Sequence, residues 1–140
     1  MTDRAEQLAP STLTLTDLLL AGADDRRVRA ALGLLIWHET WITRLAALTG
    51  GPGSPVVSDE DMARVNWKAW TAKVENDPYP YSTGELYVLD VAASIAAGTV
   101  VSLHGALGDG NGTATRRAIV QAITEAAGDL DEQPWNPDTM

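Results

Sequence analysis

Apolar residues recur at spacings of three and four along the stretch from Asp24 to Leu48. This is the period of an α-helix, and two adjoining apolar sets make the stripe wide enough to predict a central helix covered by others. Asp24 and Asp25 favour a helix start, because carboxylates stabilise the positive end of a helix. The Gly- and Pro-rich stretch 50–55 predicts its end. The apolar positions are Val28, Ala31, Leu32, Leu34, Leu35, Trp37, Trp41, Ile42, Leu45, Ala46 and Leu48.

A second helix is predicted from Ser82 to Gly98. Ser82 and Glu85 form a capping-box pattern, in which each side chain satisfies a backbone N–H group of the first turn. Leu86 and Leu89 then begin a helical repeat, and Gly98 is a favoured terminator because glycine adopts the left-handed conformation readily. Many residues of this segment are small, so we expect the helix to be buried against the long one.

Shorter helices are predicted by the same kinds of start and stop signals. Their limits are Ser11 or Thr14 to Gly22, Asn66 to Asn76, Ser102 to Leu107, and Thr113 to Gly128. A competing start at Ser58–Asp61 resembles a loose capping box. The expected fold class is therefore all-α, an orthogonal bundle of about five helices with short connecting loops.

One domain is expected. Residues 1–11 are predicted to be a flexible N-terminus, residues 12–128 a single helical domain, and residues 129–140 an acidic flexible tail. A chain of 140 residues is long enough to bury one core.

The charge balance narrows the range of partners. Nineteen Asp and Glu residues against ten Lys and Arg residues give a formal net charge of −9. A phosphate backbone would be repelled, so no direct nucleic-acid binding is expected. The same excess suits a protein partner with a basic surface, including a surface that normally holds DNA.

The sequence has no cysteine, which excludes disulfides and cysteine-ligated metal sites. The N-terminal residues show no secretory signal, and the apolar runs are too short to cross a bilayer. We therefore expect no membrane association and a cytoplasmic location.

The turn Gly105–Gly112 is a candidate site for a small anion or a nucleotide. It precedes a predicted helix with Arg116 and Arg117 in its first turns, and His104 lies at the start of the turn. A phosphate-binding loop has lysine directly after its last glycine, and Thr113 stands there instead. An ion pair within the domain is the simpler explanation of the two arginines.

Metal sites are suggested by two further patterns, each of which lacks a required residue. His38-Glu39 begins like a zinc-protease motif, but position 42 is Ile rather than His, so a metallohydrolase would need His104 to join them in the fold. The segment 109–113 begins like a calcium loop, but the required Gly and Glu are replaced by Ala114 and Val120. We therefore expect no catalytic residues, no cofactor and no metal, and hence no enzyme.

The aromatic residues include five tryptophans and no phenylalanine. Trp37, Trp41, Trp67 and Trp70 fall on apolar helix faces, which predicts core positions in which each indole N–H finds a partner. Trp135 lies in the acidic, proline-bounded tail. It either folds back onto the bundle or anchors a partner protein, since buried tryptophan dominates interface energetics.

The stretch from Arg26 to Gly128 resembles a group of uncharacterised actinobacterial proteins. The segments that carry the resemblance are Leu34–Trp41, Val65–Trp67, Tyr81–Glu85, Leu89–Gly98 and Val101–Leu103. The resemblance implies no reaction and no catalytic residues. Together with the charge balance, it favours a non-enzymatic protein-interaction or accessory module that acts through an acidic helical surface and is encoded by an actinobacterium, a phage or another mobile element.

Overall fold

The computed structural model describes residues 12–50, 53–77, 79–108 and 111–128. Within these ranges the chain forms seven helices and one two-stranded sheet. In chain order they are α1 (Thr12–Gly22), α2 (Arg26–Trp37), α3 (Glu39–Leu48), β1 (Val56–Ser58), β2 (Ala63–Val65), α4 (Trp67–Glu75), α5 (Thr83–Ala97), α6 (Leu103–Ala106) and α7 (Thr113–Ala127). The prediction of a mainly helical protein is confirmed, but the sheet was not predicted. The predicted flexible segments 1–11 and 129–140 lie outside the described residues.

The predicted single helix from Asp24 to Leu48 is wrong, because the chain changes direction at His38. The backbone of His38 has φ −92° and ψ 83°, which is not helical. Its N–H still donates to the carbonyl of Leu34 (3.0 Å), and its own carbonyl accepts from the N–H of Trp41 (3.0 Å). Both α2 and α3 bury a face in the same core. The apolar repeat in the sequence therefore continues through His38, although the helix axis changes direction there.

Helix α5 begins and ends as the sequence predicts. Ser82 Oγ accepts from the N–H of Glu85 (3.1 Å), and Glu85 Oε1 accepts from the N–H of Ser82 (2.9 Å). Gly98 ends the helix in the left-handed conformation, with φ 75°. The buried residues Ala92 and Ala93 lie on this helix, and α5 packs extensively on α2, as predicted. Helix α2 also packs on α7, which places α2 centrally in the domain.

A β-hairpin occupies the segment in which a competing helix start was expected. Strands β1 and β2 are antiparallel, with Val56 opposite Val65. Asp59 closes the turn, because its Oδ1 accepts from the N–H groups of Asp61 (2.8 Å) and Met62 (3.0 Å). A short acidic side chain can satisfy turn backbone as well as a helix start. The true start lies at Asn66, whose Oδ1 accepts from the N–H of Ala69 (3.1 Å) and caps α4.

Three of the four helical tryptophans are in the core. Trp41 and Trp70 are fully buried and meet edge to face, with 5.9 Å between ring centroids, and Trp67 is 7% exposed. Trp41 Nε1 donates to the carbonyl of Glu85 (2.8 Å), whereas the Nε1 of Trp70 has no hydrogen-bond partner among the described residues. The prediction is wrong for Trp37, which is 47% exposed at the last position of α2.

The start of α7 also differs from its prediction. Gly112 is the capping residue and makes no side-chain cap bond, while Thr113 is already helical. The turn before it is held by Asn111, which is buried and donates from Nδ2 to the carbonyl of Ala106 (2.6 Å). Ser102 caps the short α6 as predicted, accepting from the N–H of Gly105 (3.1 Å). None of the helices in the described ranges is both long enough and apolar enough to span a membrane.

Candidate functional site

A cleft of about 320 Å³ lies between α4, α5 and the loop that joins them. Its apolar walls are formed by Val74, Leu86 and Leu89. Two tyrosines and three carboxylates complete it, and these polar side chains are Glu75, Asp77, Tyr79, Tyr81 and Asp90. Helix α4 ends at Glu75 and the capping box of α5 starts at Ser82, so the two helix ends hold the loop between them. We call this feature the acidic cleft.

Asp77 braces the loop side of the acidic cleft. Its Oδ2 accepts from the hydroxyl of Tyr81 (2.9 Å) and from Nη2 of Arg44 (3.0 Å), and its Oδ1 accepts from the N–H of Tyr79 (2.9 Å). The N–H of Tyr79, the Tyr81 hydroxyl and the Arg44 guanidinium lower the pKa of Asp77. The negative charge of Asp77 is therefore stabilised by groups of the protein itself.

Aromatic contacts tie the same loop to the core. Trp41 stacks on Tyr81, with ring centroids 4.7 Å apart and an interplanar angle of 19°. The Arg44 guanidinium lies 4.4 Å from the centroid of the Tyr79 ring. Burial raises the pKa of Tyr81, so its hydroxyl keeps its proton and donates to Asp77. The wall is thus positioned before any ligand binds, and the Tyr79 ring is already in contact with the Arg44 cation.

Glu75 and Asp90 are the carboxylates of the acidic cleft that the fold does not neutralise. Neither has a hydrogen-bond or ion-pair partner among the described residues. Asp90 is half-buried on α5, and its pKa is raised by this burial and by the negative charge of Glu75. Since both effects disfavour the ionised form, a bound cation would relieve the repulsion.

The chemistry of the acidic cleft suits an organic cation with an apolar stem. Apolar walls match the methylene chain of lysine or arginine, and carboxylates match the ammonium or guanidinium group at its end. A metal ion needs more donors, and the described part of the chain has no group of three or more His, Asp or Glu side chains placed to hold one.

The residues predicted for an anion site are only partly brought together. Arg116 and Arg117 border one shallow depression, and the described residues that line it all belong to α7. Exposed His104 lies on α6 and does not line this depression. Asn111 anchors the turn to Ala106. The anion site stays a prediction, which thermal-shift measurements with phosphates and nucleotides would test.

The residues of the predicted metal site lie outside the acidic cleft. His38 occupies the break between α2 and α3, where its ring meets Trp37 edge to face at 5.9 Å. In the described ranges it belongs to no metal-binding group with Glu39 and His104. Trp135, the predicted partner anchor, lies outside the described residues.

Sequence reasoning missed Glu75 and Asp90 because they match no motif. A signal was nevertheless present, since Asp90 follows Leu86 by one helical turn and so shares its face. A carboxylate within the apolar face of a helix is unusual. Glu75 gives no such signal, because it is an exposed residue at the end of α4.

Comparison with family models, curated proteins and solved structures finds no match for this chain. The resemblance to actinobacterial proteins therefore stays a prediction.

Proposed function

We propose that this protein is a non-enzymatic binding module that receives a basic segment of a partner protein in the acidic cleft. The observation that carries the proposal is the pair Glu75 and Asp90, two carboxylates that share the cleft and have no neutralising partner among the described residues. A lysine or arginine side chain supplies the missing charge.

The overall charge supports the same choice of partner. A formal net charge of −9 attracts basic surfaces over distances of about 8–10 Å at physiological salt. The acidic cleft then selects among them, because Leu86 and Leu89 line it together with Asp90 and favour a basic side chain with an apolar stem. Long-range attraction supplies the encounter rate, and local pairing supplies the specificity.

The braced wall favours binding with little rearrangement. Arg44, Asp77 and Tyr81 already hold the loop by hydrogen bonds, so ordering the loop adds no entropic cost when a partner arrives. Tyr79 is 41% exposed at the rim and presents an aromatic surface to the incoming segment. Partly exposed tyrosine is a favoured residue at protein interfaces.

The biological setting is part of the proposal. The resemblance to actinobacterial proteins supports an accessory protein of an actinobacterium or of one of its phages, acting in the cytoplasm on a basic surface of another protein. Direct nucleic-acid binding is not part of this function, since the acidic surface repels phosphate.

Fluorescence anisotropy with a labelled peptide that alternates lysine or arginine with alanine tests the proposal. We expect Glu75→Gln and Asp90→Asn each to weaken binding about three- to fivefold, as for partly exposed charge pairs. An acidic peptide of equal length should not bind.

Matched controls are available in the hairpin turn. Glu60 and Asp61 are exposed and lie outside the acidic cleft, and Glu60→Gln and Asp61→Asn remove the same charge as the test variants. Binding by these controls should equal that of the wild type. If the controls lose as much affinity as the cleft variants, net charge alone explains binding and the proposed site is wrong.

A further inference from the structure

A groove between α2 and α7 presents a partly apolar surface with no covering element among the described residues. Its volume is about 470 Å³, and its lining includes Leu34 and Trp37 from α2 and Ala118 from α7. Trp37 is 47% exposed, and Val120, on the adjoining surface of α7, is 50% exposed. Large apolar side chains in such a patch are typical of a protein interface. We call this surface the α2/α7 face.

Gly33 leaves room for another molecule to approach this face closely. It is an exposed glycine inside a helix and lines the groove. A Cβ atom there would meet only Oε2 of Glu125, at 3.9 Å, so packing within the chain does not require glycine. Glycine weakens a helix interior relative to alanine, and its presence without a local reason suits close approach by another backbone.

The charges on α7 favour a second copy of this chain as the occupant. Arg117, Gln121 and Glu125 are spaced by four residues, and all three line the groove. Residues with this spacing follow one line along a helix. If a second α7 ran antiparallel across a twofold axis at Gln121, Arg117 of each copy would lie opposite Glu125 of the other.

We propose that a second copy of this chain docks on the α2/α7 face and forms a twofold-symmetric homodimer. Such an interface requires a surface that is complementary to itself, because both copies contribute the same patch. The face also carries the cation Arg117, so two acidic chains can approach here with less repulsion. The proposal does not depend on the acidic cleft, which belongs to α4 and α5.

Charge exchange tests the arrangement in the full chain. Sedimentation equilibrium should show a monomer–dimer equilibrium for the wild type, and Arg117→Glu or Glu125→Arg should each weaken it about tenfold or more. The double variant should regain dimerisation, and an equimolar mixture of the two single variants should form a heterodimer. These recoveries require residues 117 and 125 to meet between copies.

The direction in which Glu125→Arg changes dimerisation shows whether ion pairing between copies or the net charge of the chain is the cause. This change makes the chain less negative, so general repulsion would decrease and association would increase, whereas the proposal expects a loss. Lys68→Glu, an exposed residue of α4, changes the charge as much as Arg117→Glu and should leave dimerisation unaltered.

Gly33→Leu adds a side chain to the groove at a position where a Cβ atom would meet only Oε2 of Glu125 (3.9 Å), and it should abolish dimerisation while the monomer keeps its thermal stability, since leucine favours a helix interior over glycine. A Trp135→Ala variant should dimerise like the wild type if a second copy is the occupant. A wild-type chain that stays monomeric up to about 1 mM overturns the proposal, whether its own tail or another protein covers the face. Failure of both the double variant and the mixture to recover would equally overturn it.

Discussion

The acidic cleft and the α2/α7 face differ in how the fold treats their side chains. In the acidic cleft, Asp77 and Tyr81 are held by several hydrogen bonds, whereas the carboxylates of Glu75 and Asp90 have no hydrogen-bond or ion-pair partner in the part of the chain that the structure describes. On the α2/α7 face the large apolar side chain Trp37 lies open. The first surface is positioned for a charged side chain, whereas the second offers area to a folded partner.

Aromatic residues of this chain have different roles according to their depth. Trp41 joins the loop of the acidic cleft to the core, while Trp37, four residues earlier, faces the groove. The change of axis at His38 separates them.

Trp41→Ala should lower the free energy of unfolding by about 3–5 kcal/mol, because it removes a fully buried indole that contacts Trp70 and Tyr81. Chemical denaturation measures the loss. Trp37→Ala is the matched control, and at concentrations that keep the chain monomeric we expect a loss below about 1 kcal/mol, since its indole is half exposed. Equal losses would show that the two tryptophans are equally buried in solution.

Tyr81→Phe should lower the free energy of unfolding by about 1 kcal/mol, because it removes a hydroxyl that donates to Asp77 and accepts from Arg44 while keeping the ring on Trp41. Denaturation at neutral pH measures it. Because the pKa of Asp77 is lowered in the fold, its hydrogen bonds stabilise the native state fully above pH 3.8. This stabilisation is lost as the pH falls through the lower, folded-state pKa. Tyr87→Phe is the control, because it removes a tyrosine hydroxyl that is not bonded to Asp77 or Arg44.

Gly33→Ala should raise the free energy of unfolding by about 0.5–1 kcal/mol, since alanine favours a helix interior and the position is open. Thermal unfolding at low protein concentration measures the gain. Gly22→Ala is the opposite case, because a Cβ there would overlap the carbonyl oxygen of Ala63, and we expect it to destabilise. A destabilising Gly33→Ala would mean that the groove is closed within the monomer.

Asp90→Asn should raise the thermal midpoint slightly at pH 7. A carboxyl with a raised pKa favours the protonated form in the fold, so the native state loses stability as pH rises from 3.8 through the folded-state pKa. The amide avoids this loss, and the gain should vanish below pH 3.8. Thermal scans across pH measure it. The same variant should bind the basic peptide less well, so weaker binding with higher stability excludes unfolding as the cause.

The local signals in the sequence predicted several helix ends correctly. Ser82 with Glu85, Asn66 and Gly98 each act through atoms within a few residues, and the structure shows the expected bonds or conformation at all three. The loose capping-box pattern of Ser58 and Asp61 predicted a helix start, but the segment forms a hairpin turn, in which the Asp59 carboxylate accepts from backbone N–H groups. Local chemistry shows that a cap or turn exists but does not always show which.

Long-range features escaped sequence reasoning. The break at His38 leaves the apolar repeat intact, and the exposure of Trp37 depends on where α7 lies. Glu75 and Asp90 are fifteen positions apart and belong to different helices, so no motif links them. Their meeting depends on a loop held by Arg44, which comes from α3.

The mainly helical character, the caps of α4 and α5, and the net negative charge could be read from the sequence, because they follow from local hydrogen bonding, apolar period and composition. The direction of α3, the pairing of β1 with β2, and the two surfaces on which function is proposed became visible only in the folded chain. These depend on contacts between residues far apart in the chain, where packing and burial select among conformations that each segment alone permits equally.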